Sequence, residues 1–206
     1  MKYALAFAGL VAGALAGGEC YAPPPPAPSS YATPTPTPAP GSNYFGVISA
    51  RSASPIHLLP LTARNGKFYL GAGTPTSYCP PGLPAGACPP GDNTVFSGGD
   101  GTLSLGVVVP GGQQIYVAAN GELSYTVPHS AAIPAGATVD QFSKTAPGAN
   151  GLGTLSFETG FVACPVGGDG QGYQVYGQNQ GFEASSDCLG FSALTSAVDG
   201  AGAWEY

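Results

Sequence analysis

From Asn43 onward, apolar and polar residues alternate in short runs that are broken by turn residues every few positions. The clearest case is Ile56 to Ala63, then Arg64-Asn65-Gly66, then Lys67 to Leu70. Asn-Gly accepts positive φ at both central positions of a tight turn, so this stretch predicts a β-hairpin. A second unit runs from Thr102 to Val109, turns at Pro110-Gly111-Gly112, continues from Gln113 to Ala118, turns at Asn120-Gly121 and resumes from Glu122 to Val127. Three successive strands are expected there. A third unit contains Gly153 to Phe157, a Thr159-Gly160 turn, Phe161 to Cys164, Tyr173 to Tyr176 and Leu189 to Leu194. No window of about eleven residues keeps a helical apolar period free of Gly and Pro. The expected class is therefore all-β: a compact antiparallel sandwich or barrel, with trefoil-like closure as the alternative. The alternative rests on Gly101-Thr102-Leu103-Ser104-Leu105, which recurs as Gly153-Thr154-Leu155-Ser156-Phe157, with only a poor third copy near Lys67.

The residues before Asn43 follow a different pattern. Lys2 precedes an apolar run from Tyr3 to Leu15 that ends in the small-residue pattern Ala14-Leu15-Ala16, as a secretory signal does. The run is shorter than the ~20 residues of a spanning helix. Residues 1–16 are thus expected to be removed, leaving a protein that is secreted and free of the membrane. Residues 17–42 hold nine of the 22 prolines, with Thr-Pro alternating at Thr33, Thr35 and Thr37. Proline fixes φ and lacks a donor, so this segment reads as a disordered, extended spacer. Its Ser/Thr-Pro composition suits O-linked sugar, and the three threonines are the candidate acceptors. The β domain is placed at residues 43–198, with 199–206 as a tail.

Five Lys and Arg against eleven Asp and Glu give a net charge of −6, and charged residues make up only 8% of the chain. Arg51, Arg64, Lys67 and Lys144 are scattered, whereas a nucleic-acid binder needs clustered cations to displace counterions. Nucleic acid is not an expected partner. Cys20, Cys79, Cys88, Cys164 and Cys188 lie beyond the signal, in a chain bound for an oxidising compartment where cysteines pair. Cys79 and Cys88 bracket an irregular Pro/Gly loop, and Cys164 and Cys188 end strand-like runs, so these pairs are expected to be bridged. Each bridge contributes about 2–3 kcal/mol by restricting the unfolded chain. Cys20, at the head of the spacer, is left over, either as a thiol for an intermolecular link to another wall or matrix protein or as a capped thiol in a disordered tail.

Catalytic patterns are weak. His57 and His129 have no sequence context of a base or a metal ligand, and neither a nucleophile elbow nor a phosphate loop is present. Glu122 and Glu158 occupy similar places beside the two strand copies and form the one carboxylate pair that a glycosidase reading could nominate. Solvent-facing strand positions account for them better. Gly98-Gly99-Asp100-Gly101 and Gly167-Gly168-Asp169-Gly170 supply too few acidic groups for calcium and read as tight turns. No catalytic, cofactor-binding or metal site is expected. A carbohydrate-binding module would instead need an exposed aromatic platform, for which Tyr69, Tyr116, Tyr125, Tyr173, Tyr176 and Trp204 are the candidates.

The stretch Phe45-Gly46-Val47, followed by Arg51-Ser52-Ala53-Ser54-Pro55-Ile56-His57, resembles the opening phrase of the fungal PhiA cell wall protein family. Phe161-Val162-Ala163-Cys164-Pro165 and Cys188-Leu189-Gly190-Phe191-Ser192-Ala193 are similar to that family again, with Gln114-Ile115-Tyr116-Val117 between them. The likeness runs from about Tyr44 to Val198, and the spacer and the loop around Cys79 and Cys88 depart from it. It implies a secreted, non-catalytic structural protein of the cell wall in filamentous fungi. It also implies a link to conidiation, through spore-bearing cells and spores, and an IgE-binding mould-antigen type. No enzyme activity or cofactor comes with it, and the partners it implies are wall polysaccharide or wall proteins. Carbohydrate binding, to chitin or β-glucan, is the alternative reading.

Overall fold

The computed structural model describes residues 43–167 and 172–206. The expected signal, the proline spacer with Thr33, Thr35 and Thr37, and Cys20 lie outside the described residues. The described residues form eleven strands and no helix: β1 (Tyr44–Ala50), β2 (Leu61–Arg64), β3 (Lys67–Leu70), β4 (Phe96–Leu105), β5 (Ile115–Val117), β6 (Leu123–Tyr125), β7 (Phe142–Lys144), β8 (Leu152–Phe157), β9 (Phe161–Pro165), β10 (Tyr173–Gly177) and β11 (Leu189–Ala197).

All strand pairings are antiparallel, and five strands close on themselves. Strand β1 pairs with β4, β4 with β7, β7 with β8, β8 with β11, and β11 returns to β1. Closing the circuit removes the open edges that a five-stranded sheet would otherwise present. The other strands continue the path from β11 through β9, β10, β3, β6 and β5, with β2 on the far side of β3. Strand β11 belongs to both parts. Its residues Ala193–Ser196 pair with β8 in the ring, and Leu189–Phe191 pair with β9 in the second sheet.

That division of β11 makes the expected Thr159-Gly160 turn a corner between two sheets and not the tip of a hairpin. Strands β8 and β9 do not pair with each other; they lie end to end along one side of β11. Leu155 is opposite Ala193 and Phe161 is opposite Phe191, so one residue on β11 is matched by five between those positions on the other side. The surplus bulges out as a corner at which Glu158 has φ 35°. A bulge of this kind turns one long strand from one sheet into the next. The two similar pentapeptides fall in β4 and β8, on either side of β7, and so do not mark a threefold repeat.

The hairpin at Asn65-Gly66 forms, with φ 50° and 81° at the two residues, but its first strand begins at Leu61. Residues upstream form a loop, because Pro60 is bridged only singly to Ile48 and Leu58 turns at φ 61°. His57 therefore sits in this loop, exposed, and not on a strand. Gly98-Gly99-Asp100-Gly101, expected as a turn, lies inside β4 instead, with positive φ at all three glycines. The Gly167–Gly170 stretch lies almost wholly outside the described residues.

The period-two burial of these strands builds one core shared by the ring and the second sheet. Two rows of aromatic rings cross between them. Phe45, Phe96, Phe68 and Tyr125 follow one another at centroid distances of 5.9, 5.7 and 5.3 Å. Phe142, Phe157, Phe161 and Phe191 follow at 5.0, 6.3 and 6.1 Å. Contacts of this type add about 0.5–1.5 kcal/mol per pair to the burial itself.

Residues 199–206 are not a detached tail. Ala203 and Tyr206 are 1% and 9% exposed. Val108 and Val109 donate backbone hydrogen bonds to Ala203 and Trp204. The buried Gln113 side chain holds the last residue from both sides: its Nε2 donates to the Tyr206 carbonyl at 2.8 Å, and its Oε1 accepts from the Tyr206 N–H at 2.8 Å. The Tyr206 hydroxyl donates to the Asn93 carbonyl and accepts from the Val95 N–H, and burial pushes its pKa up to about 12. Tyr206 is thereby buried with its polar groups met, where an unmet amide or hydroxyl would cost about 1–3 kcal/mol.

Candidate functional site

Strands β3, β5 and β10 bury alternate residues, so their other residues point away from the core, whereas β6 is buried throughout, with Ser124 on the side opposite Leu123 and Tyr125. The pairing register brings these outward residues together. Lys67 is opposite Ser124, Ser124 is opposite Tyr116, Tyr69 is opposite Gln174, and Glu122 is bridged to Tyr176. Six residues from four strands, with Glu122 just before β6, therefore share one face of the second sheet.

Glu122 is at its centre. Lys67 Nζ lies 2.7 Å from Glu122 Oε2, Gln174 Nε2 donates to the same oxygen at 2.8 Å, and Ser124 Oγ donates to Oε1 at 3.2 Å. Burial alone would raise the Glu122 pKa, but the hydrogen bonds from Lys67, Gln174 and Ser124, together with the Lys67 charge, hold it below the usual carboxylate range. The hydrogen bond to Glu122 raises Lys67 in turn. Burial, with the Glu122 charge beside it, raises the Tyr176 hydroxyl. Glu122 is thus a fixed anion at neutral pH, suited to accepting hydrogen bonds and not to donating a proton.

Three tyrosines surround this polar centre. Tyr176 is braced by Phe182, stacked on it at 4.9 Å and 16°. The rings of Tyr69 and Tyr116 make no ring contact, and none of the three hydroxyls is hydrogen-bonded, among the described residues. The other nominated aromatics are elsewhere. Tyr125 is buried at 5% exposure, with its hydroxyl accepting the Gly66 N–H at 3.1 Å. Tyr173 is on the inward side of β10, packed against the core, and Trp204 is half-buried near the chain end.

The remaining candidates do not converge on this face. Glu158 is exposed at the corner between β8 and β9, whereas Glu122 is committed to its ion pair. His57 accepts the Arg51 N–H at Nδ1, 3.2 Å away, and so orders its own loop; Arg51 reaches from there to the Gly190 carbonyl at 2.6 Å. His129 lies in a turn at φ 60°. Disulfides join Cys79 to Cys88, with Cα atoms 6.0 Å apart, and Cys164 to Cys188, at 4.1 Å. The second ties β9 to the start of β11, and Cys164 sits opposite Gln174 at the margin of the tyrosine face.

A cleft of about 370 Å³ opens beside β1, lined by Gly46, Ile48, Pro60, Asn93 and Ser196, with Asp92 as its one charged residue. Aliphatic side chains and glycines, among them Val47, Leu61, Val95 and Gly202, make up much of the rest.

Lys67, Ser124 and Gln174 are the members of the tyrosine face that the sequence did not single out. Their outward phase was available in the period-two pattern of each strand. What could not be read was the pairing, since β3 touches β10 and β6 across separations of about a hundred and about sixty residues.

A family model described as PhiA-like secreted protein matches residues 45–206. A protein of Arthroderma benhamiae, named as an uncharacterized secreted protein, is 40% identical over 122 residues, which cover 57% of this chain and 59% of that protein. The chain thus spans about three fifths of the length of this curated relative. No solved structure matches.

Proposed function

The chain belongs to the PhiA-like secreted protein family, and from that premise we propose that it is a non-catalytic structural component of the fungal cell wall, serving the walls of spore-bearing cells and spores. The observation that carries the reading is the closed ring of five strands, joined to a second sheet whose β9 is stapled to β11 by a disulfide. A ring has no free edge for a protease or a stray strand to engage, and the staple limits local opening. Such a body suits long service outside the cell. The composition suits attachment: Cys20 heads a Pro/Thr-rich segment that precedes the β domain in the sequence.

Fractionation tests this. Purified walls from hyphae and from spores are washed in hot detergent, with and without reductant, and probed for the protein. The expected result is retention in the wall, enrichment in the sporulating fraction and release by reductant. Replacing Cys20 with Ser should transfer the protein to the detergent wash. Recovery of all of it from the culture medium, with clean walls, would overturn the wall assignment.

A further inference from the structure

We propose that the outward face of the second sheet binds a neutral β-linked polysaccharide, with Tyr69 and Tyr116 stacking on its sugar rings and Glu122 and Gln174 receiving its hydroxyls. This rests on the wall reading for its biological setting and on the geometry of the face for its chemistry.

A pyranose ring in a β-linked chain is amphipathic: its axial C–H faces are apolar and its equatorial hydroxyls ring the edge. Recognition needs an aromatic ring beneath the face and strong acceptors and donors at the edge. The face supplies both. Tyr69 and Tyr116 have rings without ring partners, and the three tyrosine hydroxyls are uncommitted among the described residues. Glu122 already accepts three hydrogen bonds, but a carboxylate has about four acceptor sites. Lys67 and Gln174 pin its orientation, so a sugar hydroxyl meets a preorganised acceptor.

Spacing agrees. Tyr116 on β5 and Tyr69 on β3 are separated by β6 and offset by two residues along the strands. Two strand spacings and two residue rises place them on the order of 12 Å apart. Two or three linked hexose rings span that distance. A sheet surface suits the flat side of an insoluble polymer better than a single encircled chain.

Charge and apolar content narrow the occupant. Lys67 is neutralised by Glu122, and the chain carries −6 overall, so an acidic polymer is disfavoured. The large exposed hydrophobic residues, Leu58, Tyr78, Val108 and Val127, all lie outside the face. At the polar centre of the face stand Lys67, Glu122 and Ser124, residue types that are depleted in protein–protein interfaces.

The test uses the full secreted chain with its disulfides intact, in depletion assays on insoluble chitin and, separately, on insoluble β-1,3-glucan. Soluble chitin oligomers and β-1,3-glucan oligomers serve as competitors and identify which polymer supplies the shared chemistry. Tyr69→Ala and Tyr116→Ala should each weaken binding about tenfold, and Glu122→Gln by a smaller factor. Tyr69→Phe should retain most of it. Val127→Ser, exposed elsewhere, should bind as the parent does. Each variant is compared by circular dichroism, so that loss of fold is not read as loss of contact; should Tyr69→Ala fail to fold, Tyr116→Ala carries the test.

Failure of the parent to bind either polymer, or equal binding by the two alanine variants, overturns the proposal. So does concentration-dependent self-association that the same variants abolish in the absence of sugar binding. Wall retention of Tyr69→Ala and Tyr116→Ala in cells is scored separately. A protein kept in the wall without binding polymer would defeat this inference alone, and one that binds polymer but is found only in the medium would defeat only the wall assignment.

Discussion

The two sides of strand β3 are made by consecutive residues and obey different rules. Phe68 and Leu70 point inward and are fully buried; Phe68 links the ring to the second sheet through its contacts with Phe96 and Tyr125. Lys67 and Tyr69 point outward, with the Lys67 side chain still 39% exposed while it pairs with Glu122. On the inward side, shape and volume hold the molecule together. On the outward side, the contacts are polar and solvent competes with each of them, so they orient groups more than they stabilise the fold. The comparison teaches that side chains on the tyrosine face can be altered for function at little expense to the structure, whereas their neighbours one residue away cannot.

Phe68→Ala breaks the inward side and carries the largest expected effect. It removes a fully buried ring from the middle of an aromatic row and should destabilise the protein by about 3–5 kcal/mol. Urea denaturation followed by near-ultraviolet circular dichroism measures it. A loss under ~1 kcal/mol would mean that the core collapses around the gap and that the inward side is less closely packed than the ring contacts suggest.

Replacing Cys164 and Cys188 with Ser sharpens the comparison, because this staple lies at the margin of the outward face yet is covalent. A sequence separation of 24 residues predicts a loss of about 3 kcal/mol. The separation of 9 between Cys79 and Cys88 predicts a loss smaller by about 1 kcal/mol. Thermal unfolding of the two double variants should rank them in that order. The reverse order would place the more important staple in the exposed loop.

Glu122→Gln should have the smallest effect on stability, under about 1 kcal/mol near neutral pH, since the pair is partly open to solvent, at 39% for Lys67 and 22% for Glu122. Its signature is the pH dependence. The Glu122 pKa is lowered by folding, so its contribution is present above the unfolded-state value and is lost as pH falls through the lower folded value. The Lys67 pKa is raised, so its contribution is present below the unfolded-state value and is lost as pH rises through the higher folded one. The parent should therefore lose stability relative to the variant at both extremes, in acid below the ordinary range of Glu and in alkali above that of Lys. Parallel stability curves for parent and variant from pH 3 to pH 11 would show that the pair contributes nothing measurable.

Alternation, turn chemistry and cysteine context determined much by themselves. The all-β class and the Asn65-Gly66 hairpin are local properties, set by a period of two and by the residues that tolerate positive φ. The resemblance of the Phe45–His57 phrase and of the segments around Cys164 and Cys188 was also legible residue by residue. Only the tertiary structure decided which strands meet. Thr159-Gly160 reads locally as a hairpin turn, yet β11 offers one continuous edge to both β8 and β9, and that long-range pairing turns the expected hairpin into a corner. Residues 199–206 read as a polar tail, yet Gln113 and Asn93, far away in sequence, supply the partners that bury Tyr206. Glu122 reads as an ordinary surface carboxylate until Lys67 and Gln174 arrive from β3 and β10 to make it the centre of a face. Period and propensity are written into neighbouring residues, but a partner fifty or a hundred positions away is chosen by the packing of the whole chain, which no local window contains.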